Sequence, residues 1–228
     1  MGKRASAYVT ADSLDASCRR WLAGIRRRVR ERPGLRPDVS RCALVVVDMV
    51  RYFASPDGRS FLPAAQVVAS RVRALLDAWH AARGTVVLTR HCHEGPHDLG
   101  MLGRFFRDHI RCGEPDADII DVLRPAARDR VLRKTTYDAF HGTDLERILS
   151  DSGCDQVLVT GVLTHMCCET TVRSAFVRGL EAYVAADACA SSTEELHVNA
   201  LLSMADCCAV VLSAEEILAA VAGPGSRP

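Results

Sequence analysis

The chain has 228 residues, 48% of them hydrophobic, and a formal net charge of +1; that length supports one substantial core and is short for two large domains. A near-neutral chain has no overall attraction for a polyanion, so no nucleic-acid partner is expected. The longest apolar runs, residues 43–47 and 207–212, fall far short of the roughly 20 residues of a membrane-spanning helix, so no membrane partner is expected either.

Ten cysteines in a chain of this size, with no signal-peptide pattern at its start, read as reduced thiols of a cytoplasmic protein rather than as a disulfide framework. In chain order, residues 13–30 predict an amphipathic helix. Trp21, Leu22, Ile25 and Val29 share one face, six arginines lie elsewhere, and Pro33, Gly34 and Pro37 end it. The arginines suit a solvated face or a subunit contact. Residues 1–39 are therefore expected to form an N-terminal helix and linker, residues 40–222 the main domain, and residues 223–228 a flexible Gly/Pro/Ser tail.

The main domain alternates short β-branched runs with helical stretches. Strands are predicted over 43–48, 85–89, 130–133, 156–160, 182–186 and 209–212. Nearly continuous apolar strands belong to a parallel sheet covered on both faces. The expected fold is thus α/β: a doubly wound, three-layer sandwich around a mostly parallel sheet of about six strands. Such folds place their sites at the carboxyl ends of the strands. That rule singles out Asp48 after the first strand, Arg90 and His91 after the second, Lys134 after the third, and residues 161–168 after the fourth.

Cysteine attacks as the thiolate, and Cys167 lies where the loop from Gly161 to Met166 is expected to turn into a helix over 168–178. A helix N-terminus and the ammonium of Lys134 would both stabilise the anion and lower the thiol pKa. Asp48 can accept the thiol proton and later pass it to a leaving amine, provided that the three groups lie within hydrogen-bond reach. Read singly, Cys167 also fits a packed core thiol, Asp48 a cap or turn residue, and Lys134 a surface lysine. As isolated residues they leave the reading open.

Three runs narrow it. They are Ala43-Leu44-Val45-Val46-Val47-Asp48-Met49-Val50-Arg51-Tyr52-Phe53, then Leu132-Arg133-Lys134-Thr135-Thr136-Tyr137-Asp138-Ala139-Phe140, and then Gly161-Val162-Leu163-Thr164-His165-Met166-Cys167-Cys168-Glu169-Thr170-Thr171. In this order, each around the end of a predicted strand, they resemble the isochorismatase-like cysteine hydrolases, a superfamily that includes nicotinamidases, carbamoylsarcosine amidohydrolases and isochorismatases. Gly142-Thr143-Asp144-Leu145 and Asp187-Ala188 extend the likeness, which runs from about residue 40 to 218.

The resemblance implies Asp48 as proton shuttle, Lys134 as the partner of the anionic nucleophile and Cys167 as the nucleophile, with no cofactor and no metal. It also implies a non-proline cis peptide between Val162 and Leu163, with the N–H groups of Leu163 and Cys167 aimed at a developing oxyanion. Spacing from Gly161 favours Cys167 over Cys168 as the reactive thiol. Members of the isochorismatase branch commonly carry Gly where this chain has Cys167, so a retained thiol favours cleavage of a C–N bond in an amide, lactam or carbamoyl compound through a thioester.

Vinyl-ether hydrolysis with Asp48 as general acid is the alternative, and a non-catalytic binding module of the same fold a second. A thiol redox sensor is a third, poorly served by adjacent cysteines and the lack of a Cys-x-x-Cys pattern. Nicotinamidases carry an Asp two residues before a metal-binding His; Thr89-Arg90-His91-Cys92-His93 lacks that Asp. His91, His93 and His97 therefore read as substrate contacts or loop histidines rather than metal ligands. Phe53, Arg90, His91 and Tyr137 are the candidate contacts to a small-molecule substrate, Phe140 is expected to pack, and residues 91–106 are the candidate lid. The family implies a homodimer or homotetramer.

Overall fold

The computed structural model describes residues 7–222; the expected tail at 223–228 lies outside them. The chain begins with helix α1 (Leu14–Arg26), followed by strand β1 (Cys42–Val47), the single turn α2 (Arg51–Ala54), α3 (Pro63–Ala81) and β2 (Val86–His91). A long excursion carrying the short α4 (Leu102–Phe105) leads to β3 (Arg130–Lys134), α5 (Leu145–Asp151), β4 (Gln156–Val162), α6 (Glu169–Val177) and β5 (Glu181–Ala190). The chain closes with α7 (Glu194–Cys207), β6 (Val210–Leu212) and α8 (Ala214–Val221).

All six predicted strands form, in one sheet of order β3-β2-β1-β4-β5-β6 with every pairing parallel. Their composition explains their places. Each residue of β1 and β4 is buried, as the centre of a sheet covered on both faces demands. β3, an edge strand, is exposed except at Leu132 and its last residue, Lys134. The strand order runs outward in opposite directions from β1 and β4, and in folds of this kind the carboxyl ends at such a reversal are where ligands bind.

β4 lies so close to β1 at this point that a Cβ on Gly161 would sit 2.1 Å from the Val47 carbonyl oxygen, and its φ is +108°. Only glycine meets both demands. Immediately after β4 the Val162–Leu163 peptide is cis, where the resemblance placed one. The chain then forms a π-helical turn over Thr164–Cys168 before α6, so helical structure begins four residues before the expected residue 168.

α1 ends at Arg26, short of the expected residue 30. Its apolar face runs out at Ile25, where the N–H groups of Arg28 and Val29 both return to the Ile25 carbonyl. Leu14, Cys18, Trp21, Leu22 and Ile25 join the same core as the sheet, so this face is occupied by the chain itself. Two of the arginines pair internally, Arg20 with Glu194 and Arg26 with Glu216, both at 2.6 Å.

The expectation that all ten thiols are reduced is corrected. Cys92 and Cys112 are joined by a disulfide across a Cα separation of 5.1 Å. Spacing along the chain hides the pair; what brings it together is the pairing of His93 with Arg111. Here the His93 N–H donates to the Ile110 carbonyl at 2.8 Å and the Cys112 N–H to the His93 carbonyl at 2.9 Å. The bridge joins the start of the segment expected to serve as a lid, residues 91–106, to a point six residues beyond its end.

Two outcomes follow from this architecture. Gly161→Ala should lower the unfolding free energy by roughly 3 kcal/mol, through strain and the clash with β1, as read by urea denaturation. Reducing the bridge, or replacing Cys92 by Ala, should also cost roughly 3 kcal/mol, the value for closing a loop of this length; a reductant titration monitored by thermal unfolding measures it.

Candidate active site

Asp48 follows β1 directly, with φ at +49°, a backbone conformation that Asp tolerates better than most residues. Its N–H donates to Thr89 Oγ1 at 3.1 Å, and the Thr89 hydroxyl donates back to Asp48 Oδ1 at 2.7 Å. Thr89, buried in β2, was not singled out as a site residue. The signal for it is its position, two residues before the carboxyl end of the neighbouring strand.

Lys134 at the tip of β3 brings its Nζ within 2.6 Å of Asp48 Oδ2, with both side chains fully buried. The ammonium also donates to the Thr136 carbonyl at 2.8 Å and to His91 Nδ1 at 3.3 Å. The contact with Oδ2 is an ion pair too oblique for a directed hydrogen bond, so Oδ2 is a buried acceptor without a directed donor. Burial alone would lower the lysine pKa; the Asp48 carboxylate and the Cys167 thiol outweigh it and hold the ammonium above its ordinary value.

Cys167 completes the cluster from the turn after β4. Its thiol is within hydrogen-bond reach of both Asp48 and Lys134, and its Sγ, an Asp48 oxygen and a His91 nitrogen all lie within 4.8 Å of one another. The expectation of a depressed thiol pKa is corrected: it is pushed up to about 12, chiefly by burial, with Lys134 opposing and Asp48 adding to the rise. Desolvation beats one ammonium and a helix start. The resting thiol keeps its proton, and ionisation requires a base at hand.

His91 lies against this group, half-buried, and its pKa is lowered to about 4 by burial and by Lys134. Tyr137 is near enough for Cys167 to add to the rise in its phenol pKa, a rise that burial begins. Phe53, on α2, is half-buried with its ring 4.8 Å from that of Tyr52. Arg90 lies 3.8 Å from Asp118, and no contact joins it to Asp48, Lys134 or Cys167 among the described residues. His97 is exposed, Phe140 is packed beneath Arg178, and Cys168 directs its thiol to the Thr160 carbonyl.

Among the described residues, Asp48, His91 and Cys167 are those whose donor atoms could converge on a metal ion. In the present arrangement they do not suit one. The Lys134 ammonium already lies against Asp48, and the His91 ring engages Lys134 through Nδ1 and His93 through Nε2. The site is also closed over: Asp48, Lys134 and Cys167 are 0%, 1% and 4% exposed. A cavity of about 630 Å³ runs along β6 beside Val29 and Leu35 and includes none of them.

The isochorismatase domain family matches residues 42–216. The chain belongs to the isochorismatase family of hydrolases. It is 36% identical to Nicotinamidase 3 of Arabidopsis thaliana over 74% of this chain and 83% of the relative. It is 33% identical to Enterobactin synthase component B of Escherichia coli strain K12 over 79% of this chain, spanning 63% of that longer protein. Among solved structures, a cysteine hydrolase from Pseudomonas syringae superposes with a TM-score of 0.79 at 26% identity, covering 81% of this chain and 94% of the other. N-carbamoylsarcosine amidase from Thermoplasma acidophilum does so at 0.68 and 29%, covering 77% and 97%. Within this isochorismatase-family protein no described helix is long and apolar enough to cross a membrane.

Behind the turn that carries Cys167, Thr164 Oγ1 and His197 Nδ1 are 2.8 Å apart, and burial drives the pKa of the fully enclosed His197 down to about 3. His91 and His197 are thus neutral in the folded protein, whereas an unfolded chain protonates them near pH 6.5. Their contribution to stability is complete above that pH and is lost as the pH falls towards 4 and 3. Urea denaturation at a series of pH values should show stability declining below pH 6.5, with a shallower slope in His197→Gln.

Proposed function

We propose that the protein hydrolyses a C–N bond in a small amide, lactam or carbamoyl compound through a thioester on Cys167. The observation that carries this reading is the buried cluster of Cys167 thiol, Asp48 carboxylate and Lys134 ammonium. Its chemistry suits a nucleophile that is neutral at rest and charged only when substrate is present. The similarity to proteins named nicotinamidase and N-carbamoylsarcosine amidase supports the same class.

In this mechanism Asp48 Oδ2 takes the Cys167 proton as sulfur attacks the carbonyl carbon. Lys134 stabilises the negative charge while it passes from carboxylate to sulfur, and Thr89 fixes the rotamer of Asp48 through Oδ1. The tetrahedral oxygen is received by the N–H groups of Leu163 and Cys167, donors worth roughly 2.7–4 kcal/mol apiece in hydrolases generally. Collapse breaks the C–N bond, Asp48 gives its proton to the leaving nitrogen, and a water deprotonated by Asp48 then cleaves the thioester, restoring the thiol.

Tyr137 and His91 border the thiol and are the residues we assign to substrate contact, with Phe53 and Arg90 further out. Because Cys167 is almost fully covered, substrate entry requires a movement of the chain; we assign it to the lid expected over residues 91–106, and a small substrate suits such an opening.

The test offers wild-type and Cys167→Ala protein a panel of small amides together with isochorismate, followed by intact-protein and peptide mass spectrometry. We expect an acyl mass on the Cys167 peptide, and turnover lowered at least 1,000-fold by Cys167→Ala, on the scale of losing a nucleophile. Isochorismate turnover that survives Cys167→Ala but not Asp48→Ala would instead mean vinyl-ether hydrolysis.

A further inference from the structure

Lys134 is held from a side that the mechanism does not use. Its Nζ is 3.3 Å from His91 Nδ1, His91 Nε2 is 3.1 Å from His93 Nε2, and His93 Nδ1 is 3.1 Å from the Asp98 carbonyl oxygen. A carbonyl oxygen only accepts, so His93 carries its proton on Nδ1, and its Nε2 is the acceptor. His91 must then donate from Nε2, which leaves its Nδ1 to accept from the ammonium. Each link determines the next, and each neutral ring has one donor and one acceptor to give.

The far end of the chain is anchored. The Asp98 carboxylate accepts from Arg133 Nη1 at 2.8 Å and from the N–H groups of Glu94 and Gly95 at 3.0 and 3.3 Å. His93 is also 1% exposed, and its backbone is bonded on both sides beside the Cys92–Cys112 bridge.

We propose that His91 and His93 are positioning residues, a neutral two-imidazole relay set by Asp98 that points the Lys134 ammonium at Asp48 and Cys167. The proposal deepens the hydrolase reading and rests on it for the importance of Lys134. The ammonium is held by its ion pair with Asp48 and by two directed hydrogen bonds, to the Thr136 carbonyl and to His91. Removing the His91 acceptor takes away one of those two, and the ammonium is freer to turn away from the thiol. The Asp98 carbonyl reaches Lys134 only through both rings, so His93 acts at a distance, by selecting the tautomer of His91.

Two readouts test this without any substrate. Long-range proton–nitrogen NMR of the histidine-labelled full chain should show His91 protonated on Nε2 and His93 on Nδ1, with His93→Ala converting His91 to a mixture of tautomers. Alkylation of Cys167 by iodoacetamide, followed by peptide mapping, should slow about tenfold in His91→Ala, the effect of losing one charge-assisted hydrogen bond. His91→Asn, which keeps an acceptor oxygen in the place of Nδ1, should recover most of that loss.

Finding His91 protonated on Nδ1 in the wild type, or alkylation rates unchanged in His91→Ala, would overturn the relay. So would one equivalent of zinc in the purified protein that disappears in both alanine variants. If the tautomers and rates come out as expected while no acyl mass forms on Cys167, the relay stands and the hydrolase reading alone fails.

Discussion

A carboxylate and an ammonium with no solvent access, 2.6 Å apart, set the terms for everything around them. Moving either ion out of water costs several kcal/mol, and their mutual attraction offsets this only if the remaining polar atoms also find partners. The neighbours of Asp48 and Lys134 supply them: the Thr89 hydroxyl, the Thr136 carbonyl and the His91 ring. Such a pair is weak evidence for stability. Its value is positional, because a lysine tied to three acceptors on different segments cannot leave without exposing all of them.

In the proposed hydrolysis the pair would let one site combine a high thiol pKa with reactivity. Burial raises the pKa of Cys167, yet the proton's destination lies within hydrogen-bond reach and an ammonium is already beside the sulfur. Charge moves among groups in contact instead of being created in an apolar cavity. The sheet makes this compact: β1 and β4 flank the reversal of strand order, β2 and β3 continue outward, and residues at their tips converge over a distance of a few side chains. Gly161 lets β4 approach β1 closely enough for the nucleophile turn to sit above Asp48.

The parallel sheet was legible because its strands are continuous apolar runs, and the six of them survive with no end moved by more than four residues. That Asp48, Lys134 and Cys167 come together was legible from strand-end position together with family resemblance. Position alone offered Arg90 as readily as His91, yet strand alternation turns His91 towards Lys134 and leaves Arg90 beside Asp118. Thr89 was missed because a threonine inside an apolar strand reads as β-propensity. The Cys92–Cys112 bridge depends on how a long excursion folds back, which no local pattern records. The sign of the Cys167 pKa shift depends on how deeply the turn is buried, and a helix start visible in sequence carries no measure of depth.

β3 does two separate jobs with five residues. At its tip it delivers Lys134, its one fully buried side chain, while the rest of the strand stays largely in solvent at the open border of the sheet, with Arg130 and Arg133 along it. An exposed border of a parallel sheet is a template for a further strand, and charged side chains set along it discourage that addition. The border on the side where the lysine is rooted is therefore a poor one for a seventh strand to join.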